Sequence, residues 1–155
     1  RWASVGIISE PNAHPVNGDE LESSPAGDAC PYVVAALNGD VDNHADLRVE
    51  HQLRIHHHIT TDAKVIPALV GRHAAGGADL VESFRRTVSA FEGSVAIGSM
   101  SADAPDSMLL ALSGSGQGLY VGLADDMFIV ASEPYGVGST ISAAPSFFAA
   151  TTPAP

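Results

Sequence analysis

The chain has 155 residues, of which 45% are hydrophobic and 16% are charged, a composition typical of one globular domain. Its formal net charge of −11 opposes nonspecific binding to nucleic acid or to an anionic membrane, because such encounters begin with repulsion. No apolar run approaches the roughly 18 residues that a membrane span needs. We therefore expect partners that are neither nucleic acids nor membranes.

The N-terminal part of the sequence predicts loops around one buried strand. Glycine, proline and asparagine punctuate residues 1–15, which favours an ordered loop. Residues 16–31 are rich in Gly, Asp, Glu and Ser, which predicts an exposed, mobile excursion. The apolar run 32–37 indicates a buried strand. We expect Asn38-Gly39-Asp40 to end it in a tight turn, because glycine accepts positive φ.

Three helices are predicted in the middle of the chain. The first is capped by Asp42 or Asn43 and runs through Leu53, and a short strand follows at 54–61. The second opens at Asp62. Its apolar face is formed by Val65, Ile66, Leu69 and Val70, and Pro67 is expected to kink or shorten it. The third helix has an apolar face of Leu80, Val81, Phe84 and Val88, with Arg85 and Arg86 turned toward water.

The remainder predicts strands and a tail. Four strands are expected at 94–100, 108–112, 119–123 and 127–131, joined by short turns into an antiparallel meander. Because helices group with helices and strands with strands, the pattern predicts an α+β layered sandwich. We assign residues 1–138 to one domain and residues 139–155 to a Ser/Ala/Pro-rich tail that we expect to be poorly ordered.

The triple histidine 56–58 raises the question of a metal site. In the predicted strand, successive side chains point to opposite faces, so only His56 and His58 could share an ion. A partly exposed strand with solvated imidazoles is the alternative, and we expect no metal and no other cofactor.

Two further motifs are interpreted without a catalytic role. Gly114-Ser115-Gly116-Gln117-Gly118 lacks the Lys-Ser/Thr ending and the following helix of a phosphate loop, which favours a hairpin turn. Cys30 is the single cysteine, so it cannot form an internal disulfide, and no sequence neighbour would lower its pKa. The lone thiol favours a reducing compartment, and we expect the cytoplasm.

Three other positions offer complementary chemistry, each with a structural alternative. Arg1 carries a guanidinium that can hold a carboxylate, or it is a surface charge. Asn38-Gly39 offers a side-chain amide and a backbone N–H to an oxyanion, or it is a turn. Asp62 can accept from a cation, or it is a helix N-cap. Spacing alone leaves all three open.

The order of these pieces resembles the glutamine-hydrolysing domain of the glucosamine-6-phosphate synthase family. The resemblance lies in 1–4, the run Ser9-Glu10-Pro11-Asn12-Ala13-His14-Pro15, Leu37-Asn38-Gly39, 43–48, 61–66, 112–115 and 129–133, and it extends from Arg1 to about Gly136. It implies a class II amidotransferase with the four-layer αββα sandwich of N-terminal-nucleophile hydrolases, here incomplete at the N-terminus.

The resemblance implies roles for five residues. Arg1 would bind the α-carboxylate of L-glutamine, and Asp62 would accept from its α-ammonium group. The Asn38 amide and the Gly39 N–H would form the oxyanion hole. Trp2 would gate the passage of ammonia. The complete protein would be a homodimeric glutamine–fructose-6-phosphate aminotransferase with C-terminal isomerase domains that bind the sugar phosphate.

The sequence also departs from the family pattern. The start at Arg1, without Met or a signal peptide, predicts a processed or truncated chain. The family's nucleophile is an N-terminal cysteine that no residue here replaces, so this chain alone is predicted to be inactive. Val5 and Leu37 replace residues that are polar in better-known members. Two alternatives therefore stay open: a non-catalytic glutamine-binding or structural module, and an amidotransferase of the amidophosphoribosyltransferase type.

Overall fold

The computed structural model describes residues 4–20 and 32–138. Arg1, Trp2, Cys30 and the tail lie outside the described residues, so their roles stay predictions. The described strands are β1 Val16–Asn17, β2 Val33–Val41, β3 Gly93–Ser101, β4 Ala104–Ser113, β5 Tyr120–Leu123 and β6 Phe128–Ala131. The α-helices are α1 His44–Glu50, α2 Val65–Ala75, α3 Leu80–Ser89 and α4 Pro134–Gly138, and 3-10 helices span Glu10–Asn12 and Asp62–Lys64.

The strands form two antiparallel sheets. One has the order β1-β2-β3-β4, and the other pairs β5 with β6. All four strands predicted after residue 93 are present. The single meander is wrong, because the chain changes sheets between β4 and β5. The glycine-rich loop 114–118 is consequently a link between sheets and not a hairpin turn.

The core lies between β2 and helix α2. Alternate residues of β2 point to it, and Val33, Ala35 and Val41 are at most 1% exposed. The predicted apolar face of α2 supplies the other side of this core: Val65, Ile66, Leu69 and Val70. Pro67 does not interrupt the helix, because it lies in the first turn, where its missing N–H leaves no hydrogen bond unmade.

Two helix predictions need correction. The first helix ends at Glu50, whereas it was expected to run through Leu53, and the Asn43 side chain does not cap it. Instead, Asn43 bridges the segment before β3, donating to the Ala90 carbonyl and accepting from Glu92 N. In α3 the predicted face is wrong at Val81, which is 65% exposed, because Ser83 and Thr87 occupy the buried side. No helix among the described residues is long and apolar enough to cross a membrane.

Strand β2 continues through Asn38-Gly39, where a turn was expected. Gly39 pairs with Val95 of β3 and has φ +114°. A Cβ atom at this position would lie 1.9 Å from the Ser94 carbonyl oxygen. The positive φ that the sequence suggested is present, but it serves close pairing of two strands and not a reversal of the chain.

The start of the predicted excursion is anchored. Residues 16–17 form β1, and Asn17 accepts two hydrogen bonds from the buried Lys64 ammonium, at 2.6 and 2.8 Å. Burial lowers the pKa of Lys64, and Asp19 and Glu20 act in the opposite direction. Glu20 also forms a two-bond ion pair with Arg72 of α2. The expectation of an exposed segment is therefore wrong for 16–18 and Glu20, whereas Asp19 is exposed, and 21–31 lie outside the described residues.

Candidate functional site

The candidate site lies at the edge of β2 that faces β1. Odd-numbered residues of β2 direct their backbone polar groups to this edge. The Val33 carbonyl accepts from Gly18 N at 2.9 Å, and the Leu37 N–H donates to His14 Nδ1 at 3.5 Å. Because β1 spans only two residues, the N–H groups of Leu37 and Val41 are bonded by side chains from elsewhere in the chain.

Asp62 is one of these groups. Its Oδ2 atom accepts from the Val41 N–H at 2.8 Å, and Thr61 donates its hydroxyl to Oδ1 at 3.4 Å. The residue is 5% exposed, and no side-chain cap bond to its own helix is present. The N-cap interpretation of Asp62 is therefore wrong: its carboxylate joins the start of the 3-10 helix to the end of β2.

Asn12 holds the segment that carries Asp62. Its side chain is 1% exposed and makes four hydrogen bonds. Oδ1 accepts from Thr60 N at 2.7 Å and from Thr61 N at 2.9 Å, while Nδ2 donates to the His58 carbonyl and to Ser9. Both ends of the amide are thus used, as the burial of a polar side chain requires.

The loop 4–12 packs against the same segment. Ile7 N donates to the Thr60 hydroxyl at 2.8 Å. Gly6 has φ +89°, and a Cβ atom there would lie 2.8 Å from Thr61 N. The glycine therefore allows the backbone of the loop to approach the backbone before Asp62.

Arg48 of α1 fixes the segment from the other side. Its guanidinium donates to the Thr61 carbonyl at 2.8 Å and to the Ile59 carbonyl at 3.3 Å. Burial lowers the pKa of Arg48, and the nearby Asp62 carboxylate acts to raise it. The segment that carries Asp62 is therefore held by hydrogen bonds on both sides, and the Arg48 cation lies near its carboxylate.

Even-numbered residues of β2 present their side chains on the face opposite the core. Asn38 is exposed on this face, and Asp40 accepts a hydrogen bond from the Ser4 hydroxyl. The Gln117 side chain lies beside Gly39, where an added Cβ would meet its Cγ at 3.1 Å. Loop 4–12 thus reaches Asp40, and loop 114–118 reaches Gly39.

The structure describes three of the five residues predicted for the site. Asn38 and Gly39 lie on β2, and Asp62 bonds to Val41, two positions beyond Gly39, while Arg1 and Trp2 lie outside the described residues. Asn12 and Arg48 had no assigned role. Asn12 was noticed only as part of a motif, since its partners are 46–49 residues away and leave no local signal.

The three histidines 56–58 lie in a turn and not in a strand. The Ile59 N–H donates to the His56 carbonyl at 2.8 Å. The prediction that only His56 and His58 share a face is therefore wrong, because one nitrogen of each ring lies within 4.8 Å of the others. Desolvation lowers the pKa of His56, and His57 and His58 lower it further.

Comparison with known proteins assigns this architecture. No protein-family model matches the chain. Glutamine–fructose-6-phosphate aminotransferase [isomerizing] of Bacillus cereus is 30% identical over 133 residues, and that of Shigella flexneri is 32% identical over 134. Each match covers 86% of this chain but 20% of the relative, so the chain spans about a fifth of their length.

Solved structures agree on the fold. The glutamine phosphoribosylpyrophosphate amidotransferase of B. subtilis has a TM-score of 0.65 at 22% identity, over 92% of this chain and 28% of that one. A structure described as the allosteric regulatory enzyme of purine biosynthesis has a TM-score of 0.63 at 23% identity, over 88% and 27%.

The chain is therefore similar in sequence to these aminotransferases, and it has the fold of a glutamine amidotransferase domain. The predicted α+β sandwich of the N-terminal-nucleophile type is confirmed for this amidotransferase domain by the fold of these neighbours. The predicted resemblance to the glucosamine-6-phosphate synthase family is confirmed by the sequence relatives.

Proposed function

We propose that the β2 edge is the glutamine site of a glutaminase domain that supplies nitrogen to fructose 6-phosphate. The proposal rests on the placement of Asn38 and Gly39 on β2 and of Asp62 at the end of the same strand, where its carboxylate bonds to the Val41 N–H. The two segments are distant in sequence, and they bring amide donors and a carboxylate to the same strand.

The Gly39 N–H is the proposed backbone donor of the oxyanion hole. The N–H groups of Leu37 and Val41 both bond to partners at the β1 side of β2. Because backbone groups alternate along a strand, the Gly39 N–H between them is directed to the same edge. The Asn38 amide supplies the second donor. Both would stabilise the charge that develops on the glutamine carbonyl oxygen in the tetrahedral intermediate.

Asp62 would hold the α-ammonium group of glutamine. Its Oδ2 is engaged by Val41, so the remaining lone pairs of Oδ1 are the acceptors for the substrate. Arg48 and Asn12 hold the backbone of the preceding residue, Thr61, so that little ordering of this segment is needed when glutamine binds. Arg1 would bind the α-carboxylate. Arg1 lies three positions before Ser4 in the sequence. Ser4 bonds to Asp40, which follows Asn38-Gly39.

The chemical step needs a nucleophile that the described residues do not contain, since residues 4–20 and 32–138 include no cysteine. Cys30 is the one cysteine of the printed sequence, and we do not assign it this role. We propose that the thiol belongs to sequence outside these 155 residues, that the 155 residues alone have no glutaminase activity, and that Trp2 gates ammonia. We also propose a homodimeric, cytoplasmic parent whose further domains bind the sugar phosphate.

A glutamine-binding module without turnover is the second candidate function. It is favoured by Val5 and Leu37, which stand where better-known members of the family have polar residues. Such a module would keep the Asp62 frame, because substrate binding needs it, but the Asn38 amide would no longer serve a reaction.

Glutamate release by the full-length protein, measured with Asn38→Ala and Asp62→Asn variants, separates these functions. We expect N38A to reduce kcat/KM about 10²–10³-fold, since one oxyanion donor is lost. D62N keeps an oxygen for Val41 but loses its charge, so we expect mainly a higher KM. Asn43→Ala, which alters an asparagine away from the edge, is the matched control.

Three results decide the outcome. Full activity of N38A would overturn the oxyanion assignment. Glutamine binding by calorimetry without turnover in the wild type would favour the binding module. Glutaminase activity without formation of glucosamine 6-phosphate from fructose 6-phosphate would change the acceptor but leave the site in place.

A further inference from the structure

The histidine turn, residues His56–His58, gathers three imidazoles on one exposed loop. The ring centroids of His57 and His58 are 3.9 Å apart. The ring centroid of His56 lies 4.4 Å from that of His57 and 4.6 Å from that of His58. A potential ligand atom of each residue lies within 4.8 Å of the others. Three consecutive residues can meet in this way only because the backbone turns at this point.

The distances are near those of a metal centre. In a tetrahedral zinc site with Zn–N bonds of about 2.0–2.1 Å, two ligand nitrogens are about 3.3 Å apart. The nitrogens of the turn would need to approach by at most about 1.5 Å. Side-chain rotation can bring the nitrogens together over this distance, since His57 and His58 are exposed and His56 is half-buried.

One ligand is already oriented by the backbone. The His58 N–H donates to His56 Nδ1 at 3.2 Å, so this nitrogen presents a lone pair and not a proton. A cation bound through Nδ1 would replace a long hydrogen bond, and the released N–H would face water. Three neutral imidazoles suit Zn²⁺, Cu²⁺ or Ni²⁺, while Mg²⁺ and Ca²⁺ require oxygen ligands.

The turn is connected to the rest of the domain. The His58 carbonyl accepts from Asn12 Nδ2 at 3.0 Å, which restrains the loop that carries the rings. The formal net charge of −11 favours the approach of a cation.

We propose that His56, His57 and His58 form a binding site for one divalent cation of the zinc class, with water completing its coordination. The site is separate from the β2 edge and independent of the proposed glutaminase chemistry. It requires nothing from residues outside the described part of the chain.

The test is calorimetric titration of the full-length protein, prepared without a histidine tag, with Zn²⁺, and visible spectroscopy with Co²⁺ as the probe. We expect one Zn²⁺ per chain, Co²⁺ bands typical of imidazole ligands, and no heat with Mg²⁺. Substitution of a residue that only contacts a metal ligand weakens metal binding by roughly 10–100-fold. We expect His57→Gln, which removes a ligand, to weaken Zn²⁺ binding by more than this. The triple variant H56Q/H57Q/H58Q should abolish it.

His51→Gln combined with His73→Gln is the matched control, because these two rings also contact each other, with centroids 6.1 Å apart. This control should leave Zn²⁺ affinity unchanged. Thermal melts without metal should show that both sets of variants are folded. Wild-type protein that binds no Zn²⁺, a triple variant that binds like wild type, or a loss seen only in the control would each overturn the proposal.

Discussion

The β2 edge and the histidine turn are close in sequence, since Asp62 follows His58 by four positions, yet they are organised in opposite ways. At the β2 edge, Asn12 and Asp62 are buried and bond to backbone groups between 21 and 49 residues away. In the histidine turn, the rings are sequence neighbours and largely exposed. Removal of the buried Asn12 side chain at the first should therefore disturb the fold, whereas substitutions at the second should affect only what binds there.

The largest effect is expected for Gly39→Ala. The substitution forces a left-handed φ on alanine and places its Cβ at 1.9 Å from the Ser94 carbonyl, so β2 and β3 must separate locally. We expect a loss of about 3 kcal/mol or more in the free energy of unfolding, measured by urea denaturation. Gly77→Ala is the matched control, because Gly77 has φ +93° and open space around it. It should lose only about 1–2 kcal/mol.

Asn12→Ala comes next. The variant removes the shared acceptor of Thr60 N and Thr61 N, which leaves buried donors unpaired. We expect about 3 kcal/mol of destabilisation by thermal or urea melts. Asn38→Ala, an exposed asparagine of the same size, should change stability by at most about 0.5 kcal/mol. Equal losses in the two variants would contradict the distinction between the framework residue and the site residue.

How far the sequence predicted these features follows from the range of the interactions. The faces of α2 and the four later strands were predicted, because periodicity and local apolar content determine them. The continuation of β2 through Asn38-Gly39 was not, because it depends on Ser94, which is 55 positions away from Gly39 in the sequence. Pairing across the sheet, and not local propensity, decides whether that glycine turns or extends.

The site shows the same division. Asn38, Gly39 and Asp62 were identified through their resemblance to a family, and the bond between Asp62 and the end of β2 required the fold. Asn12 and Arg48 could not be assigned from spacing, since their partners lie in another segment. The three-ring cluster was missed because a strand was predicted where the chain turns.

In the histidine turn, H56Q/H57Q/H58Q should change the free energy of unfolding by at most about 0.5 kcal/mol in the presence of a chelator, since the rings are largely exposed. Urea denaturation with EDTA measures this. A loss comparable to that of Asn12→Ala would mean that the turn is part of the framework of the β2 edge.

The smallest effect concerns Glu82, a surface residue away from both regions. Hydrogen bonds from Arg85 and Arg86 lower the pKa of Glu82 to about 2 from its usual 4.5. Its contribution to stability is therefore present above pH 4.5 and lost as the pH falls toward 2. We expect Glu82→Gln to flatten the acid limb of a stability–pH profile slightly. Replacing Arg85 and Arg86 by Gln should have the same effect, whereas an unchanged profile in both variants would contradict the pairing.

The most direct test of the β2 edge as the glutamine site is amide NMR of the protein labelled with ¹⁵N in glycine alone, during titration with glutamine. We predict that the Gly39 amide signal shifts until glutamine saturates the site, while the Gly77 amide signal does not move. Glutamine binding, detected by calorimetry, that leaves the Gly39 signal unmoved would contradict it.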